Sequence, residues 1–160
     1  HNKSIIEQKE VGRDVPDYET ALLGAMRQAP QVILFGEMRS KREVEMALTL
    51  AETGHLVLST MHTRSAAQTV SRIVDIFGES EKEQVRMQLA DALAAVFSQR
   101  LLTLTDGTGV KMVKEILINN GAISNLIREN DLHQVPTSMQ MGRRDGMMLL
   151  EDDIISLIQM

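Results

Sequence analysis

Two apolar runs end at ionisable side chains. Val32-Ile33-Leu34-Phe35-Gly36-Glu37 stops at a carboxylate, and Gly54-His55-Leu56-Val57-Leu58-Ser59-Thr60-Met61-His62-Thr63 repeats the design with histidines. Buried parallel strands bind ligands beyond their carboxyl ends, so Glu37 and His62 are expected to converge on one bound group. A carboxylate in that position suits holding a magnesium-bound water or polarising the water that attacks a phosphoryl group. An imidazole there suits a hydrogen bond to a γ-phosphate. Gly36 leaves space for a ligand to approach the backbone, although a Walker B pattern would carry Asp at that position. The plainer alternatives are a solvated turn residue for Glu37 and a structural histidine for His62. His55 and His62 lie seven apart on one strand pattern, so they point to opposite faces and cannot share a metal ion. With no Cys and no H-x-x-x-H spacing, zinc is disfavoured. No Lys sits in a G-x-x-x-x-G-K-[ST] loop, and Gly107-Thr108-Gly109-Val110-Lys111 fails that spacing. A phosphate cradle is therefore expected outside this sequence.

The elements that must position these groups alternate. Lys3 to Val11 reads as a strand and Gly12-Arg13-Asp14 as a turn, after which Pro16 opens a helix running to about Gln28 and ended by Pro30. Val32 to Phe35 is a buried strand. Ser40 and Glu43 make an S-x-x-E capping box for a helix with Val44, Ala47, Leu48 and Ala51 on one face, closing at Gly54 before a strand from His55 to Met61. Ser65 with Gln68 caps a third helix, Gly78 stops it, and Ser80 with Glu83 caps the next. This alternation predicts an α/β fold with a mostly parallel sheet. Leu101 to Thr105, the turn Asp106-Gly107 and Val110 to Ile118 read as an antiparallel hairpin at its edge. Ala122 to Glu129, Pro136 to Met141 and Gly146 to Ile158 read as helices, which divides the chain into a core over residues 1–118 and a helical extension over 119–160.

The 160 residues are 43% hydrophobic, enough for one sizeable core, and carry a formal charge of −5 with acids and bases interspersed. No basic face offers itself to nucleic acid, and three Phe, one Tyr and no Trp leave few stacking platforms. No apolar stretch is long enough for a membrane span, so a soluble protein that docks on a membrane machine is expected. The eleven Met, among them Met139, Met141, Met147, Met148 and Met160, allow a hydrophobic interface but more commonly fill a core. A first residue other than Met suggests that a longer parent exists.

Val32 to Arg39, Ala51-Glu52-Thr53-Gly54-His55, Ser59-Thr60-Met61-His62-Thr63 and Ala122-Ile123-Ser124-Asn125-Leu126-Ile127-Arg128-Glu129 together resemble the type IV pilus retraction ATPases, the PilT family. The resemblance runs nearly end to end. It implies a RecA-like P-loop NTPase core, binding of ATP or ADP with Mg²⁺, and a cytoplasmic homo-hexamer, peripheral at the inner membrane, that works against a pilus platform protein in twitching motility. It implies that Glu37 is the Walker B glutamate and the Mg²⁺ contact, directly or through water, and that His55 and His62 form a histidine box. It further implies that Arg13 and Arg39 face nucleotide or a neighbouring subunit, and that Ala122, Ile123, Asn125, Leu126, Ile127, Arg128 and Glu129 couple hydrolysis to retraction. Ser40 stands where the family commonly has Asp, and Ser124 where it has Arg. The family's phosphate loop, acidic box and PAS-like domain are expected upstream of His1, so the chain alone is expected neither to bind ATP tightly nor to hydrolyse it. The alternative reading is a non-catalytic accessory subunit or interaction module of the same machine.

Overall fold

The computed structural model describes residues 3–159, which fall into two compact units divided between Thr60 and Met61. In the first unit, helix α1 (Tyr18–Met26) begins where the Asp17 carboxylate accepts the Thr20 N–H at 2.7 Å. That hydrogen bond holds the Asp17 carboxyl below its usual pKa. The helix therefore starts at Tyr18, two residues after Pro16, because the Asp17 side chain supplies the acceptor for the first turn. Strand β1 (Val32–Glu37) follows, then α2 (Lys41–Glu52) and β2 (Leu56–Thr60). The S-x-x-E box is present: Ser40 Oγ accepts from Glu43 N, and Glu43 Oε2 accepts from Ser40 N at 2.9 Å. At the far end Gly54 takes φ +94°, the left-handed turn that frees the chain from α2 and sends it into β2.

β1 and β2 pair in parallel, Val32 beside Leu56 and Leu34 beside Leu58. Their inner face sets Phe35, with Ile33 and Val57, against Leu22 of α1 and Leu50 of α2. Tyr18 and Phe35 stack with ring centroids 5.9 Å apart. The outer face carries Val32, Leu34, Leu56 and Leu58, and Leu34 is 74% exposed. The two strands are thus buried on one side only. Lys3 to Val11 forms no strand: a strand needs a ladder partner, none of the described strands pairs with it, and only a Val11–Val15 bridge closes the turn that follows.

The second unit opens with α3 (Ala66–Asp75) and α4 (Glu79–Ala92). α4 starts two residues earlier than Ser80 and Glu83 suggest, because Gly78 is the cap residue and Glu81 Oε2 accepts its N–H at 3.3 Å. Strands β3 (Ala95–Thr103) and β4 (Val110–Ile118) then pair antiparallel, Ala95 opposite Ile118 through Thr103 opposite Val110. The tip is closed by Asp106, which accepts from Thr108 N and Oγ1 and is held below its usual pKa by those bonds, and by Gly107 at φ +69°. β3 begins well before Leu101, and the hairpin is a separate two-stranded sheet, not an edge hydrogen-bonded to the parallel pair. Its ladder is satisfied between its own two strands.

Alternation along the hairpin sends Val96, Ser98, Val113 and Leu117 inward and leaves Phe97, Leu101, Val110 and Met112 exposed. Helices α5 (Gly121–Arg128), α6 (Val135–Met141) and α7 (Leu150–Ile158) complete the unit, α5 lying against α4 and α7 against β4. The residues after Ile118 share this compact unit with the hairpin. Met139 and Met147 are core, as filler, whereas Met141 is exposed; Met160 lies outside the described residues.

Asp153, on the first turn of α7, is buried and accepts the Lys114 N–H of β4 at 2.9 Å. Asp153→Ala should lower the unfolding free energy by about 1–3 kcal/mol, the usual result of stranding a buried donor, while Asp153→Asn keeps an acceptor oxygen and loses less. Urea denaturation of the three proteins, followed by circular dichroism, measures the difference. Ser40→Ala, which strips the cap from α2, should cost about 1 kcal/mol in the same experiment.

Candidate functional site

Glu37 is the last residue of β1, opposite Thr60 at the carboxyl end of β2. Strict alternation would place it on the face of Ile33 and Phe35, which is core. The register shifts between Leu34 and Glu37, so the pairing is irregular at Phe35-Gly36. Thr60 secures this stretch: its hydroxyl donates to the Gly36 carbonyl at 2.6 Å, and its backbone carbonyl accepts the Met38 N–H at 3.2 Å. A Cβ at Gly36 would meet no atom within 4 Å, so the backbone beside Glu37 is open at that point.

The Glu37 carboxylate is not isolated. Arg39 Nε donates to Glu37 Oε2 at 2.7 Å, and the hydrogen bond together with the opposite charge raises the guanidinium pKa above its ordinary value. Glu43 Oε2 accepts the Arg39 N–H at 2.7 Å as well as the Ser40 N–H, so the capping box of α2 fixes the backbone from which Arg39 reaches back. Glu37 is 21% exposed and Arg39 76%. Arg39 is thus a neighbour of Glu37 within its own unit.

His62 belongs to the second unit, in the turn before α3, and Glu37 to the first. That turn is held at successive points. Arg72 Nη1 donates to the His62 carbonyl at 3.2 Å, Thr63 and Thr69 share a hydroxyl hydrogen bond of 2.7 Å, and Gln68 Oε1 accepts the Arg64 N–H at 2.7 Å. The Ser65–Gln68 signal therefore works as a cap on two neighbouring residues: Ser65 Oγ accepts from Gln68 N, and Gln68 reaches back to Arg64, not to Ser65. Arg100 of β3 donates to the Arg64 carbonyl at 2.9 Å, and Glu115 of β4 accepts the Ala66 N–H at 2.6 Å.

His55 stands at the other end of the parallel pair from Glu37, so about five strand residues, roughly 17 Å, separate them. Its Nδ1 meets the Leu50 carbonyl at 3.0 Å and Thr53 Oγ1 at 3.2 Å. A carbonyl only accepts, so Nδ1 carries the proton and the ring closes the C-terminal end of α2. Arg13 projects from the turn formed by Gly12 to Asp14 and pairs with Glu10 at 3.6 Å, 78% exposed. Neither joins Glu37.

In α5 the eight-residue element sorts by face. Ile123 and Ile127 are fully buried. Arg128 pairs with Asp91 of α4, and Asn125 Nδ2 donates to Glu129 at 3.1 Å. Ala122, Asn125 and Glu129 are exposed and Leu126 partly so, leaving an outward stripe at helical spacing. Ser124 donates to the Ala90 carbonyl at 2.9 Å, beside Asn119, whose Nδ2 donates to the carbonyls of Ala90 and Leu93. Arg72, Arg100, Glu115 and Asn119 carried no sequence signal as functional neighbours. Only Asn119-Asn120-Gly121, a run of capping residues between a strand and a helix, marked the junction, where Asn120 Oδ1 accepts the N–H groups of Ala122 and Ile123.

Among the described residues no group of three or more His, Cys, Asp or Glu side chains is arranged to hold a metal ion. A single carboxylate such as Glu37 fits magnesium only in its usual manner, with most of the coordination from water and substrate phosphates. No candidate residue lines the groove between α1 and α2, whose walls are Leu22, Leu23, Met26 and Met46 with Glu19, Arg42 and Glu45 at its sides. No described helix is long and apolar enough to cross a membrane.

A twitching motility protein of Neisseria gonorrhoeae is 47% identical over 157 residues, 98% of this chain and 42% of that protein. The type IV pilus retraction ATPase PilT of Pseudomonas aeruginosa is 44% identical over 149 residues, 93% of this chain and 43% of that protein. A crystal structure of the pilus retraction motor PilT with bound ADP aligns with a TM-score of 0.87 at 46% identity, covering 98% of this chain and 44% of the other. The chain thus spans less than half the length of the relatives it matches. The family model described as type II/IV secretion system protein matches residues 4–158, and with these identities and this shared α/β fold the chain belongs to the type II/IV secretion system protein family.

Proposed function

We propose that this chain works in an ATP-hydrolysing motor that drives type IV pilus retraction, with the phosphate cradle supplied by residues outside it. The observation that carries the reading is Glu37 at the carboxyl end of a parallel pair, in a chain 44% identical to a retraction ATPase. Residues 1–118 are assigned to the ATPase domain and 119–160 to a helical extension that shares its second unit with the hairpin. The motor is a cytoplasmic homo-hexamer, peripheral at the inner membrane, that acts on the pilus through a platform protein.

In this reading Glu37 orients the water that attacks the γ-phosphate in line, and Arg39 holds the carboxylate in place through its hydrogen bond. Glu37 would be the residue that holds magnesium, and the ion would supply positive charge to the nucleotide phosphates. His62 donates a hydrogen bond to the γ-phosphate from the turn before α3. His55 acts in positioning by closing α2, and Arg13 meets a neighbouring subunit. The outward stripe Ala122, Asn125, Leu126 and Glu129 passes the conformational change onward, while Ile123, Ile127 and Arg128 fasten α5 to its unit.

Glu37→Gln in the intact motor protein should cut steady-state hydrolysis about 100-fold or more while a non-hydrolysable ATP analogue still binds, because the amide keeps the shape and loses the base. Turnover at the wild-type rate would remove Glu37 from the reaction, and no hydrolysis by the unaltered protein would leave an interaction subunit. Asn125→Ala and Glu129→Ala, both at exposed positions, should keep hydrolysis within about twofold while retraction speed under the microscope falls. Equal loss of both activities rejects the coupling role.

A further inference from the structure

We propose that the inner face of the β3–β4 hairpin is a clamp for the turn that carries His62, with Arg100 and Glu115 as positioning residues and Arg72 as their counterpart on α3. This inference rests on the reading of His62 as a γ-phosphate contact and adds the residues that hold it in place. Arg100 and Glu115 project from the same side of the hairpin as Val96, Ser98 and Val113, the side packed on α3. From there they take the two backbone groups that flank Ser65. The guanidinium of Arg100 donates to the Arg64 carbonyl at 2.9 Å, and the carboxylate of Glu115 accepts the Ala66 N–H at 2.6 Å.

Each contact matches charge to dipole. A cation meets a carbonyl oxygen, and an anion meets an N–H at the positive end of a helix. The turn between Met61 and Ala66 has little backbone structure of its own: Thr63 N–H reaches the Met61 carbonyl at 3.2 Å, and no strand ladder includes it. Thr69, Gln68 and Arg72 tether it to α3 alone, and α3 is the helix that the turn leads into. A turn held by one helix pivots with that helix. Fastening to the hairpin adds a second rigid body and removes the pivot, which fixes the backbone from which the His62 imidazole extends. A displacement of about 1 Å at a group that contacts a reacting phosphate costs as much as 100-fold in rate, so the clamp acts on turnover and not on ATP affinity.

The test uses the full-length motor protein and two readouts, steady-state ATP hydrolysis and deuterium uptake across residues 61–66, for Arg100→Met, Arg100→Lys, His62→Ala and the His62→Ala/Arg100→Met double variant. Arg100→Met keeps the aliphatic stem of an exposed side chain and removes the donor. It should lower kcat about tenfold, leave the KM for ATP within about twofold and raise uptake in the turn. Arg100→Lys, which retains a charged donor, should recover most of the rate, and the double variant should be no slower than His62→Ala alone. Unchanged uptake in Arg100→Met overturns the clamp. Raised uptake with losses that multiply in the double variant overturns the positioning role, because Arg100 then acts elsewhere than through His62. A wild-type rate for His62→Ala overturns the γ-phosphate reading instead, and uptake in Arg100→Met then decides for or against the clamp by itself.

Discussion

The first turn of α2 presents backbone N–H groups that nothing inside the helix can pair, and Ser40 and Glu43 take them. Glu43 takes one more, the Arg39 N–H, and so fixes the residue that reaches back to the Glu37 carboxylate. The same constraint recurs at each element bearing a candidate residue. Ser65, Gln68 and Glu115 satisfy the start of α3, just beyond His62. Asn120 satisfies the start of α5, and Asn119 with Ser124 satisfies the end of α4. His55 satisfies the end of α2. Helix ends are where polar backbone must find side chains, and here those side chains also set the geometry of the candidate groups.

This constraint gives both family departures a local account. Ser40 is an N-cap whose short hydroxyl reaches Glu43 N, a task that Asp performs equally well at such a position. Ser124 lies half-buried against the last turn of α4, where its hydroxyl meets the Ala90 carbonyl. A longer side chain at that position would have to extend past Asn119 instead of closing the α4–α5 junction. The junction is further tied by the Arg128–Asp91 pair and by Ile123 and Ile127, both fully buried. The element thus has an anchoring face and an outward one.

Both sheets bury one face and expose the other. Parallel strands are ordinarily covered on both sides, yet Val32, Leu34, Leu56 and Leu58 stand open, as do Phe97, Leu101, Val110 and Met112 on the hairpin. Such apolar area tends to mark a place where further protein packs. The inner faces carry the cores: Leu22, Phe35 and Leu50 in one unit, and in the other the contacts of α3, α4 and α5 with the hairpin and with each other.

Much of this was written locally. The presence of the helices, the S-x-x-E box before α2, the left-handed glycine after it and the polar tip of the hairpin follow from residues within about four positions of each other, the range over which helical and turn hydrogen bonds act; the helix ends did not, since α1 starts at Tyr18 and not at Pro16 and α7 at Leu150 and not at Gly146. The place of Glu37 at a strand end was legible for the same reason, since an apolar run that stops at an ionisable residue is a one-dimensional pattern, whereas His62 lies in the turn beyond the end of β2. Tertiary structure decided what no local pattern encodes. Thr60 meets the Gly36 carbonyl, Arg100 and Glu115 meet backbone groups on either side of Ser65, and α7 is fastened through Asp153 to Lys114. The split into two separate sheets and the failure of Lys3 to Val11 to form a strand are likewise matters of partners, since a ladder exists only where a second backbone lies alongside. Periodicity specifies which face of an element is apolar, and only the packed chain specifies which distant side chain meets it.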